Sequence, residues 1–362
     1  MSNMKAAVYY GKGDIRIEER PIPEIGDDDV LLRSRMVSIC GSDLQPYIEG
    51  KGGVPGEIFG HEYVAEIAEL GKNVTGHYVG ERVFGHNVSV CGTCWYCRHG
   101  DYAHCSNVLL SYTGKHLACP GGFAQYMLFK GPLAAGSVEA PHINALMHIP
   151  DELSDPQAAL LEPFGVGIAA MEKCGVKADD TVVILGAGMT GNSAMQWAKK
   201  LGAKVIIVDI SRHRLELARA CGADHTIDNT NGDCYDQIAR LIGEPGWIKG
   251  SDATSARVVM DCAGYHGSLN TALKLVRSGG VVCEISDSSV LSPVNITYIS
   301  YKDLFITNSS GCDISKALSG MIDGDLKVEP LVDEIVPLDK APYAFEKQAK
   351  HQAMKVLVDM KL

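Results

Sequence analysis

The chain has 362 residues, enough for two domains of ordinary size. Apolar residues make up 46% and charged residues 21%, which excludes disordered and collagen-like chains. Asp and Glu number 44 against 33 Lys and Arg, so the net charge of −11 argues against nucleic acid or an anionic membrane as the main partner.

The opening residues 1–11 hold no basic segment followed by an apolar core, so no secretory leader is expected. The longest apolar neighbourhood, 158–171, is broken by Glu162 and Pro163 and is too short to span a bilayer. A cytoplasmic protein is therefore expected. Its 12 cysteines would then stay reduced, as metal ligands, catalytic thiols or core filler.

In chain order, the first 155 or so residues read as β-rich and irregular. Short runs at 6–10, 30–35 and 63–69 are separated by Gly, Pro and Asp. From Thr181 the texture changes. A strand at 181–185 is followed by a glycine loop and by Ala194, Ala198 and Leu201 at helical spacing. Strands at 204–208, 258–261 and 281–285 alternate with helices at 215–221 and 268–276, which predicts a parallel sheet. After about Gly311 the pattern is mixed again. The stretch 131–150 reads as a long loop that forms a subunit contact or overhangs a cleft.

Gly186-Ala187-Gly188-Met189-Thr190-Gly191 is a GxGxxG motif between a strand and a helix. The glycines allow a tight turn, close approach of a pyrophosphate and close helix packing, and the helix N-terminus offers N–H groups to the phosphates. Asp209 stands where an acid should receive the ribose hydroxyls, which favours NAD over NADP. Arg214 lies where it could stack on adenine. The alternative is a glycine turn in a domain without cofactor.

Cys91, Cys94, Cys97 and Cys105 place four thiolates within 15 residues, a set that closes a tetrahedron around a structural zinc. Two disulfides or an iron–sulfur cluster are the rival readings, and His99 and His104 are alternative ligands. A second set is mixed: Cys40, His61 and one or both of Glu62 and Glu162 offer S, N and O donors with an open position, as a catalytic zinc requires. Asp43 is a candidate partner for the other nitrogen of His61, and Ser42 a candidate acceptor for an alcohol proton. Each has a bland reading alone, as core filler, surface group or helix start. Trp95 and Tyr96 read as packing or subunit contacts. The remaining seven cysteines read as reduced filler.

Together these residues resemble the zinc-containing medium-chain dehydrogenase/reductases, in particular the sorbitol-like polyol branch. The resemblance spans the chain. It rests on Lys5-Ala6-Ala7-Val8, Cys40–Asp43, Gly60-His61-Glu62, Gly80–Val83, the four-cysteine lobe, Gly121–Ala124, Glu162-Pro163, the glycine loop and Asp209. It implies an α/β chain with a GroES-like β-rich catalytic domain (1–156 and 312–362) around an inserted Rossmann domain (157–311). The active site would lie in the cleft between them. Cys40, His61 and either Glu62 or Glu162 would hold the catalytic zinc, and Ser42 would begin a proton relay. Thr190, Asp209, Arg214, Ile285 and Ser286 match NAD contacts, with Ser309 near the last cofactor strand. Homodimers and tetramers both occur in the family.

The chain departs from the family pattern in three places. Gln45 stands where many members end the relay with His, and it cannot act as a base near neutral pH. Pro46 stands where sorbitol-type enzymes carry Tyr. Ser309-Ser310-Gly311 lacks the Arg that meets substrate hydroxyls. The expectation is NAD-linked oxidation of a secondary alcohol to a ketone, with a cyclic polyol, a sugar derivative or a larger alicyclic alcohol favoured over open-chain sorbitol. The alternatives are a threonine-type amino alcohol dehydrogenase and a non-catalytic NAD-binding zinc protein.

Overall fold

Strand-forming and helix-forming stretches segregate along the chain, and the structure, a computed structural model, follows that segregation. It describes residues 3–85, 88–89, 93–101, 104–106, 109–110, 121–129, 146–243, 255–286 and 292–361. Two compact units result: Met1–Glu162 with Val332–Leu362, and Pro163–Leu331.

The first unit opens with an antiparallel pair, β1 (Asn3–Gly11) and β2 (Asp14–Pro21). It continues through β3 (Val30–Ser38), α1 (Gly41–Glu49), β4 (Glu62–Leu70) and β5 (Arg82–Gly85). A small lobe follows, with β6 (Val88–Ser89), α2 (Trp95–Arg98) and β7 (Leu109–Leu110). Then come β8 (Tyr126–Phe129), β9 (Leu146–His148) and α3 (Asp155–Ala159). The expected loop at 131–150 therefore ends in a strand, since Leu146–His148 pairs with β5; residues 130–145 lie outside the described residues.

Helix α4 (Leu161–Lys173) leads into the second unit. There β10 (Thr181–Leu185), α5 (Met189–Lys200), β11 (Lys204–Asp209), α6 (Arg212–Ala220), β12 (His225–Asp228), α7 (Cys234–Ile242), β13 (Val258–Asp261), α8 (Ser268–Leu275), β14 (Val281–Glu284), α9 (Ile296–Lys302) and β15 (Phe305–Asn308) alternate, with α10 (Ile314–Ile322) after them. The chain returns to the first unit with β16 (Val332–Pro337), α11 (Ala341–Ala349) and β17 (Lys355–Asp359).

In the first unit β3 is central. It pairs with β4, β8 and, from the C-terminal segment, β17. Val37 of β3 and Tyr63 of β4 are buried in one core with Phe123, which precedes β8, and Phe345 of α11. Gly60 has φ +103°, and a Cβ there would stand 2.8 Å from the Phe123 ring and 2.9 Å from Val37. Only glycine fits this turn into His61.

In the second unit six parallel strands run in the order β12-β11-β10-β13-β14-β15. Thr181–Leu185 is buried along its whole length, as expected of a strand covered on both faces. The strand order reverses between β10 and β13, the switch point of a doubly wound sheet. Among the described residues no helix is long and apolar enough to cross a membrane.

Candidate active site

Cys40 ends the extended stretch after β3 and occupies the N-cap position of α1. Its backbone N–H donates to Asp43 Oδ2 at 3.1 Å, so the first turn of α1 locks Asp43 beneath it. His61 and Glu62 arrive at the start of β4, whose Glu62 is the cross-strand partner of Ser38. The β3–β4 register thus brings the three residues to one place. Donor atoms of Cys40, His61 and Glu62 all lie within 4.8 Å of one another.

Asp43, 3% exposed, sets Oδ1 3.7 Å from His61 Nδ1, beside the ring. Burial disfavours charge on His61, yet the Cys40 thiol group and Asp43 raise its pKa well above the ordinary imidazole value. Burial and Glu62 push the Cys40 thiol up. Such a concentration of mutually perturbed groups is typical of a functional site.

Glu162 lies in the first turn of α4. Burial raises its carboxyl to about 7, with Glu62 and Asp43 acting in the same direction and His61 and Lys355 against it. The structure therefore brings Glu162 within electrostatic reach of the same cluster. Ser42 is half-buried in the first turn of α1, two residues beyond Cys40.

Sequence reading missed two residues here. Lys355 at the head of β17 donates from Nζ to Glu62 Oε2 at 2.6 Å and to the Ile39 carbonyl at 2.7 Å. Gln348 on α11 donates to the same carbonyl at 2.8 Å. Both partners of the Lys355–Glu62 pair are buried, with side chains 4% and 1% exposed. The one available signal was a lysine opening an otherwise apolar strand, Lys355-Val356-Leu357-Val358.

A sulfur, nitrogen and carboxylate donor set of this reach fits a catalytic zinc. In the small lobe Cys94, Cys97 and Cys105 also lie within 4.8 Å, with Sγ–Sγ separations from Cys94 of 3.4 Å and 3.9 Å. Thiolates around one zinc, each about 2.3 Å from the ion, stand roughly 3.8 Å apart, so these three fit a shared ion. Cys91 lies outside the described residues. His99 and His104 turn their Nδ1 atoms to the Trp95 carbonyl and to Asp101 instead. Trp95 is exposed and its ring stacks on His99.

The second unit carries the nucleotide features. Gly188 is the N-cap of α5, and Thr190 lies in its first turn. A Cβ on Gly191 would stand 1.9 Å from the Gly186 carbonyl oxygen, so the loop closes only with glycine there. Asp209 ends β11. Its Oδ2 accepts the Ala187 N–H and its Oδ1 the Ser211 N–H, each at 2.7 Å. Arg214 Nη1 stands 4.0 Å from Asp209.

Gly186, Gly188, Asp209 and Arg214 line a cavity of about 640 Å³ together with Asn229, Thr230 and Tyr265, the last three of which the sequence did not single out. Their strands end at the same edge, but nothing local in the sequence says so. Ile285 and Ser286 follow β14, and Ser286 donates from N and Oγ to Glu284 Oε1. Ser309 follows β15 and accepts the Gly311 N–H at 3.4 Å.

Two family descriptions match the chain: an alcohol dehydrogenase GroES-like domain over residues 26–135, and a zinc-binding dehydrogenase over residues 190–324. The chain is 33% identical to sorbitol dehydrogenase of Bacillus subtilis (strain 168), over 98% of this chain and 97% of that protein. It is 30% identical to L-threonine 3-dehydrogenase of Legionella pneumophila (strain Corby), over 95% and 96%. Among solved structures it is similar to alcohol dehydrogenase TADH from Thermus sp. ATN1, with a TM-score of 0.85, 25% identity and coverage of 98% and 99%. The GroES-like and doubly wound architecture expected from the sequence is thereby established.

Proposed function

We propose, for a chain that belongs to the zinc-containing alcohol dehydrogenase family and is a dehydrogenase, that it interconverts a secondary alcohol and its ketone with NAD. Membership of the family removes the non-catalytic alternative. The carrying observation is the Cys40, His61 and Glu62 donor set, packed against Asp43 and Lys355.

Cys40, His61 and one of Glu62 and Glu162 would hold a catalytic zinc; Cys94, Cys97 and Cys105, with Cys91, would hold a structural one. Bound there, zinc supplies Lewis acidity to the alcohol oxygen and NAD a hydride acceptor. The chain's own residues do the rest. Asp43 fixes the ring of His61. Ser42 takes the hydroxyl proton as it passes its own outward. Gln45 cannot carry it onward, and where Glu62 holds the metal, Glu162 is the carboxylate left to exchange the proton. Gly186, Gly188, Met189, Thr190 and Gly191 cradle the pyrophosphate, and Asp209 takes the ribose hydroxyls and repels a 2′-phosphate. Arg214 borders the base, while Ile285, Ser286 and Ser309 border the nicotinamide half.

Polyols, cyclitols, sugar derivatives and larger alicyclic alcohols are the favoured substrates. Similarity to a threonine dehydrogenase keeps an amino alcohol as the second reading. Against it, Leu44-Gln45-Pro46-Tyr47 offers no cation for a carboxylate. NADH formation over a panel of these alcohols tests the reading: turnover of a secondary alcohol supports it, and silence across the panel overturns it.

The working form is a homo-oligomer. β15 is an edge strand whose Phe305 and Ile306 are exposed, and Ile296 and Tyr301 of α9 are exposed as well. An uncovered apolar edge of this kind suits pairing with a second copy. A cytoplasmic setting keeps the ligand thiols reduced.

A further inference from the structure

Asp261 and Glu284 are the last residues of β13 and β14 and direct partners in the parallel register. Both stand at the C-terminal edge of the sheet, where open parallel sheets bind ligands. Asp261 is 0% exposed. Its Oδ1 accepts N–H groups from Ala263 at 3.1 Å and Gly264 at 3.3 Å. Its Oδ2 is buried and receives no donor from any N–H or hydroxyl among the described residues. Glu284 gives Oε1 to the N–H of Ser286 at 2.9 Å and to that residue's hydroxyl.

The Glu284 carboxyl is within hydrogen-bonding reach of Asp261. A buried carboxylate and a half-buried one set side by side do not both readily stay ionised. A single proton on Glu284 Oε2, donated to Asp261 Oδ2, satisfies the orphaned oxygen and leaves the existing bonds intact. Burial and the neighbouring Asp261 both raise the Glu284 carboxyl, in keeping with that placement. The other titratable groups around the pair are Cys262 and Tyr265, both close to Asp261, and Cys283 on the strand of Glu284, which Cys174 and Lys173 face in turn.

We propose that Asp261 and Glu284 share one proton in the free enzyme, and that this pair discriminates the redox state of the dinucleotide: the cationic oxidised nicotinamide expels the proton on binding, and the neutral reduced ring does not. The inference rests on the NAD reading above. With adenosine at the end of β11 and pyrophosphate at the loop after β10, the rest of a dinucleotide extends over the ends of β13 and β14. Those ends lie about 5 and 10 Å further along the edge. No bond is made or broken apart from the O–H of Glu284, whose proton goes to solvent as the positive ring arrives.

The test uses the zinc-loaded enzyme and its Glu284→Gln variant, which keeps a donor towards Asp261 but cannot ionise. Infrared spectra of the ligand-free proteins should show a protonated carboxylic acid band that the variant lacks, and NAD should abolish that band in the wild type while NADH leaves it. Calorimetry in two buffers of different ionisation enthalpy should show proton release with NAD only. NAD affinity should tighten by up to about tenfold per pH unit through the titration of Glu284, and be flat in the variant. The proposal is overturned if the band is the same in both proteins, or if NAD and NADH release equal protons. Binding of neither nucleotide would overturn the cofactor reading instead, and the band in the free wild type would still decide whether the proton is shared.

Discussion

At the scale of single residues, burial decides which charges matter. Lys355 and Glu62 are 293 positions apart in sequence and form a buried pair at 2.6 Å. Removing one partner leaves the other charge buried and uncompensated. Lys355→Met should therefore cost about 3–5 kcal/mol of stability by denaturant melts, with much of it recovered by Lys355→Arg. Lys302 is a second buried cation. Its Nζ donates to the carbonyls of Leu273, Lys274 and Val276, which close the end of α8. Burial lowers its pKa to about 8, below the 10.5 of a free lysine. Between these two values the unfolded chain binds more protons than the folded one, so the contribution of this group to stability rises as pH increases from about 8. Below pH 8 the penalty is felt in full. Melts across this window should show the rise in the wild type, and Lys302→Met should lose that component while costing at least about 2 kcal/mol for the carbonyls left bare. Neither lysine was legible in the sequence, since each depends on partners that only the fold supplies.

Among the elements, the glycine loop and its flanking strand and helix were legible because the required chemistry is local. The run Thr181–Leu185 is apolar throughout and the glycines follow it directly. Asp209 was legible for the same reason, being one strand further on. Its bonds to the Ala187 and Ser211 N–H groups were not, and they show that this carboxylate also braces the loop. Gly191→Ala should force the loop open, because its Cβ would meet the Gly186 oxygen at 1.9 Å. We expect NAD affinity to fall tenfold or more, about 1.4 kcal/mol, measured by fluorescence titration. Asp209→Ser should raise the preference for NADP, read as the ratio of kcat/KM for the two cofactors. An unchanged ratio would show that another group sets the discrimination. The Asp261–Glu284 pair escaped sequence reading because the residues are 23 positions apart and only the register of β13 and β14 makes them neighbours.

For the whole molecule, the sequence carried the two-unit plan and the parallel sheet, since texture changes over tens of residues reflect which faces are buried. The return of the C-terminal segment was implied by resemblance rather than by periodicity, and the structure realises it by pairing β17 with β3. That pairing is what brings Lys355 to the cluster of Cys40, His61 and Glu62. If the apolar edge formed by β15 joins two copies, Phe305→Asp should shift the mass measured by light scattering to that of a single chain; an unchanged mass would place the interface elsewhere. The central claim is that Cys40, His61 and a glutamate hold one of two zinc ions and that alcohol oxidation depends on it. Zinc content and alcohol-dependent NADH formation, measured together in the wild type and in Cys40→Ser, test it most directly. Two zinc ions with turnover should become one zinc ion without turnover, and a variant that keeps both ions and its activity would contradict the claim.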